Sequence, residues 1–363
     1  MTTQFIRYST ALKYTQIPVN IRPAMGYPTV YQQADDIGGV FERISWGLPE
    51  GAIANFSPCL LNHDGHRLIS FRSQPEPFVF RHDQKYFYYN NTPTELYIGE
   101  LTSKNTISGA KKIRNTPHRL SYEDGRLFKA PDDQLYFQFI TSSYATDWDK
   151  SNHLLVNQPK VCVGTVSDSG EVHDVVYPPV GNNLVPGKPE KNWCFFSEGE
   201  KLRLLYSTIP LKILTPGEKE KVICSDSLKK IVGEYPTFNS TAPIKIGDEW
   251  LVFFHWKYMA FDTTTQRSHL LYHLGAYTLD EKLTRITRQC TEALFSGSTN
   301  DDLIYWTDCV GNAISTQPAC ILSFGGTYVE EDDTIELALG VNDSFMGIFK
   351  CPLVNILGLL ETV

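Results

Sequence analysis

Residues able to do acid, base or anion chemistry cluster just ahead of five apolar runs. Glu123-Asp124-Gly125-Arg126 sets two carboxyls beside a guanidinium, with Tyr122 before them. Asn55-Phe56-Ser57-Pro58, Glu190-Lys191-Asn192-Trp193, Asn239-Ser240-Thr241-Ala242-Pro243 and Ser315-Thr316-Gln317-Pro318 lead into the other four runs. A carboxyl that donates a proton near neutral pH must be kept protonated by burial or by neighbouring negative charge. On a strand Glu123 points to the face opposite Asp124, so it is expected to orient neighbours rather than share the proton. Taken alone, the two carboxyls read as decoration of a turn before a strand. The cations available to an anion are Arg72, Arg126, Lys191 and Lys257, with His255 beside the last. Arginine grips phosphate oxygens in pairs and lysine acts as a point charge. Arg72 and Lys257 read equally well as solvated strand ends.

The elements that must position these groups repeat. PCLLNHDGHRLISFR (58–72), RLFKAPDDQLYFQFI (126–140), WCFFSEGEKLRLLYS (193–207), APIKIGDEWLVFFHW (242–256) and ACILSFGGTYVEEDDTIELALG (319–340) share one pattern. Each is an apolar strand, a turn rich in Asp, Glu and Gly, and a second alternating strand, which is a hairpin signature. The only helix candidates of any length, around 218–230 and 281–296, lack a clean apolar stripe. Hairpins at this spacing leave room for about four strands per unit, the size of a propeller blade. The expectation is an all-β, five-bladed β-propeller in a single domain over 1–363, with a β-sandwich or two successive β domains as the other topologies. In a propeller the innermost strands start beside the central channel, so the five polar lead-ins would converge on one cavity. Convergent polar groups in a concavity define the default binding site.

Composition excludes several classes. The 363 residues carry 41 Asp and Glu against 33 Lys and Arg, a formal net charge of −8, which argues against a nucleic-acid partner held by phosphate contacts. Twenty Phe, 19 Tyr and six Trp argue against disorder. No run approaches the ~18 apolar residues of a membrane span. The opening MTTQFIRYSTALKYTQ has no apolar leader core, and the eight cysteines form no Cys-x-x-Cys pair, so a reduced, cytoplasmic protein is expected. His63-Asp64-Gly65-His66 and the His269, His273 pair lack further ligands, so no metal and no cofactor are expected. No nucleotide-binding Gly motif or serine nucleophile elbow is present.

The lead-ins, in their order along the chain, resemble glycoside hydrolase family 130, the mannoside phosphorylases and related five-bladed enzymes. EDGRLF is similar to the EDPR-type motif of that family. EKNWCFF with LLYSTIPLKIL, NSTAPIKIGDEWLVFFHW, YHLGAYTLD and LALGVNDSFMGIFKCPL match further along, so the likeness runs from about Asn55 to Pro352. It implies a glycosidase or glycoside phosphorylase acting with inversion, with Asp124 as proton donor and mannose as the sugar. It implies Arg126, Lys191 and His255 around an anion such as phosphate or diphosphate. Asn55, Arg72, Tyr122, Glu123, Glu190, Asn192, Trp193, Asn239 and Asp343 would contact sugar. Among the aromatic candidates Trp193, Tyr122, Tyr206, Trp256, Tyr272 and Trp306, the first two sit in lead-ins and are the expected stacking platforms.

The chain departs from the family in three places. The first lead-in reads Asn55-Phe56-Ser57, with no carboxylate to act as the base of an inverting hydrolase, leaving Glu190 or Asp343 to serve. No arginine falls between Arg126 and Arg203, where the phosphorylases carry phosphate-binding arginines. Gly125 replaces the family proline. A glycosyltransferase using a sugar nucleotide therefore stands as an alternative to phosphorolysis, and a non-catalytic glycan-binding propeller as a third reading. The apolar LVNILGLL (353–360) either closes the ring or meets another subunit, and the first ~50 residues form a lid or an arm.

Overall fold

The computed structural model describes residues 19–22, 28–45, 54–74, 79–83, 86–89, 95–113, 121–142, 148–149, 154–155, 160–167, 171–176, 191–216, 221–223, 228, 235–262, 267–298, 301, 307–308 and 318–363. All five expected hairpins are present, because each couples strand-forming alternation to a tight polar turn. Each hairpin opens a blade. The first blade is Ala54–His63, His66–Gln74, Glu95–Leu101 and Ile107–Lys112. The second is Ser121–Lys129, Leu135–Ser142, Lys160–Val166 and Val172–Val176, and the third Cys194–Glu198, Lys201–Thr208, Leu211–Leu214 and Lys221–Ile223. In the fourth, Thr237–Asn239 and Ile244–Ile246 together pair with Glu249–Asp262, followed by Arg267–Asp280 and Ile286–Cys290 within a larger sheet. The fifth runs Ile321–Val329, Thr334–Val341 and Phe345–Pro352.

Apolar packing links these sheets in ring order, making a β-propeller. Cys59 and Leu96 of the first blade meet Leu127 and Phe137 of the second. Phe128 and Ile140 of the second meet Phe195 and Leu204 of the third. Leu205 of the third, Leu251 and Phe253 of the fourth and Leu337 of the fifth share one cluster. Ala338 and Ile348 of the fifth then pack on Leu60 and Ile69 of the first. Each blade is covered on both faces, so its inner strands bury both sets of alternating side chains. That is why Ala54–His63 is buried over seven consecutive residues.

The chain ends interleave. Val40–Arg43 forms the outermost strand of the fifth blade, antiparallel to Phe345–Pro352. The preceding helix, Val30–Asp36, starts at a capping box of Thr29 and Gln32 and donates Val30 N–H to the Asp301 carboxylate at 3.0 and 3.1 Å. Leu353–Gly358 is a short helix and Leu360–Thr362 adds to the outer edge of the fourth blade on Ile286–Cys290. The apolar C-terminal stretch thus packs back onto the fourth blade, with Ile356 and Leu360 in the core shared by blades three to five. The described part of the opening segment completes a blade.

The two expected helices differ in outcome: Leu228 is helical within 218–230, whereas the described residues of 281–296 are turn and strand. Lys221–Ile223 and Ile286–Cys290 are strands. Before the latter, the Asp280 carboxylate accepts from the backbone of Thr284 and Arg285 and from the Thr284 hydroxyl, making a local turn that competes with helix. Among the described residues, no helix is long and apolar enough to cross a membrane. No group of three or more metal-capable side chains gathers among them either. His66 instead pairs with Glu100 at 2.8 Å and His273 with the Ser296 hydroxyl at 2.7 Å.

Candidate functional site

A bulge recurs at the start of the inner strands. In the first blade Phe56 pairs with Arg72 and Cys59 with Ser70, so Ser57 and Pro58 oppose one residue. In the second, Glu123 pairs with Ile140 and Arg126 with Gln138, so Asp124 and Gly125 do the same. In the fourth, Ser240 and Thr241 both donate their N–H to Phe253 O, at 3.1 and 3.2 Å. Ser57 and Asp124 have φ of 52°, and Asn192, at the matching point of the third blade, has 61°. Left-handed backbone costs a non-glycine residue roughly 1–2 kcal/mol, and such strain gathers at functional sites. Bulges re-aim side chains. Here they direct lead-in polar groups out of the strand ladder. Gly125 is required by a different constraint: a Cβ there would lie 2.4 Å from the ring of buried Phe137.

The second strand of the first blade, the lead-ins of the second and third and the fourth-blade strand pair make one electrostatic cluster. Arg72 Nη1 lies 3.3 Å from Asp124 Oδ1, and the guanidinium sits over the Phe56 ring at 4.8 Å. Lys191 Nζ donates to Glu123 Oε2 at 2.7 Å, so Glu123 is engaged by the third blade while Asp124 faces the first. Lys257 is 8% exposed, its ammonium 4.9 Å from the Phe238 ring centre and 5.4 Å from that of Tyr272. Burial, reinforced by Lys191 and opposed by Asp124, pushes the Lys257 ammonium down to about 7. Strand alternation puts His255 on the same face, its Nδ1 2.8 Å from Ser240 Oγ and its ring stacked on Phe238. Burial, then the charges of Lys257 and Arg126, hold His255 well below the ordinary histidine range. His255 is therefore a neutral hydrogen-bonding group, where the sequence suggested a cation. Asp343 comes from the fifth blade and interacts with Arg72, Asp124 and Glu123.

Other expected site residues take structural positions. Arg126 is buried and directs its Nη atoms at backbone oxygens of Ser240, Phe324 (3.3 Å) and Asn239 (3.5 Å), with its guanidinium over the Phe324 ring. The expected direct anion ligand is thus a tie from the second blade to the fourth and fifth, and its positive charge reaches His255 from there. Asn239 spends its side chain on Thr208 Oγ1 (2.7 Å), Asn192 O (2.9 Å) and Leu205 O (3.1 Å), joining third and fourth blades. Trp193 is 3% exposed and packs on Tyr206 within the apolar layer between blades two and three, which gives its ring no open face for a sugar. Trp256 is likewise buried, between Phe254 and His273. Tyr272 and Phe238 lie beside the Lys257 ammonium, and Phe56 beneath the Arg72 guanidinium. Asn55 is buried at 6% exposure, and its Oδ1 has no hydrogen-bond partner among the described residues. Glu190, Trp306, the fifth lead-in before Pro318 and the Tyr122 side chain lie outside the described residues.

Lys257, Tyr272 and Phe238 were within reach of sequence reasoning. His255 and Lys257 are two apart on one strand, and the register sets Phe238 opposite His255 and Tyr272 opposite Lys257. The bulges themselves left no mark beyond Asn, Asp and Ser at the turning positions.

Solved structures share this fold. The β-1,2-mannobiose phosphorylase from Listeria innocua, solved with β-1,2-mannobiose, superposes with a TM-score of 0.51 at 16% identity over 87% of this chain and 94% of that one. A mannose phosphorylase from Leishmania mexicana in complex with phosphate gives 0.53 at 11% identity, over 92% and 95%. A GDP-Man-dependent mannosyltransferase from the same organism gives 0.53 at 12%, over 85% and 88%. No family model matches the chain, and no curated protein matches it. At these identities the likeness is one of fold: a propeller architecture shared by mannoside phosphorylases and a mannosyltransferase.

Proposed function

We propose that this protein is a carbohydrate-active enzyme that moves a mannosyl-type residue with inversion, Asp124 protonating the departing glycosidic oxygen. The observation that carries the reading is the placement of Asp124 on a strained bulge beside Arg72 of the first blade and Lys257 of the fourth, with Lys191 of the third on the neighbouring Glu123. Phosphate oxygen attacks the anomeric carbon from the far side as the bond to the leaving oxygen breaks. The phosphate's own proton then returns to Asp124. Lys191 and Lys257 hold the anion and neutral His255 offers a hydrogen bond, while Arg126 contributes fixed positive charge from behind. Asn55 Oδ1, buried without a partner among the described residues, suits a sugar hydroxyl donor. Asn192 and Asp343 complete the sugar contacts, with Asn239 and Glu123 holding the lead-ins in place.

A sugar-nucleotide-dependent transferase is the second reading. It is favoured by an anion subsite built on lysines, with Arg126 turned to backbone carbonyls. The deciding experiment incubates wild type and Asp124→Asn with mannobiosides, with and without phosphate, and with GDP-mannose. Phosphate-dependent release of mannose 1-phosphate supports phosphorolysis, and consumption of GDP-mannose supports transfer. Removing a general acid slows turnover by about 10²–10⁴-fold. Equal turnover by both proteins would take Asp124 out of the chemistry, and a pocket that binds glycan without turnover would make this a lectin-like propeller.

A further inference from the structure

Ser240 is a fully buried hydroxyl on the fourth-blade bulge, at 0% exposure. Its N–H donates to Phe253 O at 3.1 Å and its carbonyl accepts from Arg126 of the second blade, so its backbone is held from two sides. Its Oγ lies 2.8 Å from His255 Nδ1, and among the described residues this is the hydroxyl's one hydrogen bond. A hydroxyl carries a single donor hydrogen, and a buried donor left unused costs about 1–3 kcal/mol. Were Nδ1 protonated, it would donate to Oγ and the hydroxyl hydrogen would have no acceptor among the described residues. Hydrogen-bond accounting therefore sets the hydroxyl as donor and Nδ1 as acceptor.

The aromatic walls show what His255 stands beside. Phe238 stacks on the imidazole with ring centres 5.3 Å apart, and Tyr272 lies 6.0 Å away. The same two rings lie 4.9 and 5.4 Å from the Lys257 ammonium, so His255 and Lys257 share one pair of walls. Two cations, Lys257 and Arg126, act with burial to keep the ring neutral. A neutral imidazole holds one N–H, which belongs on Nε2 once Nδ1 accepts from Ser240.

We propose that Ser240 is a positioning residue: it donates to His255 Nδ1, so that His255 carries its one proton on Nε2 and presents a donor, never a base, to an anion held beside Lys257. The proposal rests on the glycosyl-transfer reading for that anion and narrows what His255 can do there. With Nδ1 filled and Nε2 protonated, the ring has no nitrogen left to take a proton from water. It cannot activate a hydrolytic water. It suits a phosphate oxygen, which needs a donor and no base.

The test is nitrogen-15 NMR of histidine-labelled, ligand-free full-length protein: wild type, Ser240→Ala and, to assign the ring, His255→Gln. Near neutral pH the wild-type His255 ring is expected to show a protonated Nε2 and an unprotonated Nδ1. Ser240→Ala deletes one oxygen and adds no atom. It should move the Nδ1 resonance downfield, as happens when an unprotonated ring nitrogen loses its hydrogen bond. Inorganic phosphate should shift the wild-type Nε2 and its proton, and should bind about tenfold more weakly to Ser240→Ala. A proton on Nδ1 in wild type, a doubly protonated ring, an Nδ1 unmoved by Ser240→Ala, or equal phosphate affinity in the two proteins overturns the proposal. The wild-type spectrum decides the tautomer even where the alanine variant does not fold. It also needs no anion: an Nε2-protonated ring that phosphate leaves unshifted sinks the anion site and upholds the Ser240 contact.

Discussion

Lys257 places a charge where water cannot solvate it. Its folded value of about 7 lies below the ordinary 10.5, so between these values the unfolded chain holds a proton that the folded chain lacks. Stability therefore rises as pH rises through that window, and the penalty is fully present below about 7. Lys257→Met should raise stability near pH 6 by up to a few kcal/mol, with the difference vanishing in strongly alkaline buffer. Chemical denaturation of both proteins across pH checks this. In the proposed function a bound anion would offset that cost and restore the ammonium. Phosphate should accordingly stabilise wild type more at pH 6 than at pH 9 in thermal shift, and this pH dependence should shrink in Lys257→Met. Arg126 and His255 show the converse: residue types that suggest cationic ligands become, respectively, an inter-blade tie and a neutral hydrogen-bonding group once burial and neighbouring charge are counted.

The inner-strand bulge is the element on which the candidate site depends. It gives Asp124 its left-handed backbone and lets Glu123 and Asp124 engage different blades, Lys191 on one side and Arg72 on the other. Gly125 makes this bulge compatible with the core, because the ring of Phe137 fills the space a side chain would need. Gly125→Ala should destabilise by about 1–3 kcal/mol through overpacking, measured by urea unfolding. It should also lower turnover by displacing Asp124; an unchanged rate beside the lost stability would show that the bulge does not aim the acid. The hairpins flanking the bulge were legible because alternation and turn formers are local signals. The segment 281–296 misled for the same reason: without a clean apolar stripe, pairing with neighbouring strands decided its conformation.

At the scale of the whole molecule, the ring is closed where Val40–Arg43, from the start of the chain, joins the fifth blade. Gln33 carries part of that closure, donating to Pro28 O (2.8 Å) and Ser296 O (2.9 Å) and accepting from Ser296 N–H (2.6 Å). Gln33→Ala leaves buried backbone groups of the fourth blade without these partners, at a cost of about 1–3 kcal/mol. Amide exchange at Ser296 and along Val40–Arg43 should speed up, while the first and second blades stay protected. Uniform exchange across all blades would show that this contact does not act as a latch.

The chain's own order determined that there would be five hairpins with polar lead-ins, since strand alternation and turn residues act over a few positions and need no partner to be read. It also determined the chemical inventory of the lead-ins: the Glu123-Asp124 pair, no carboxylate in the first, and no arginine between Arg126 and Arg203. Tertiary structure alone decided what that inventory means. Whether a guanidinium meets carbonyls or solvent depends on partners more than 100 residues away in sequence, and whether an imidazole is charged depends on its burial, because electrostatic free energy is set by burial and by neighbours in space.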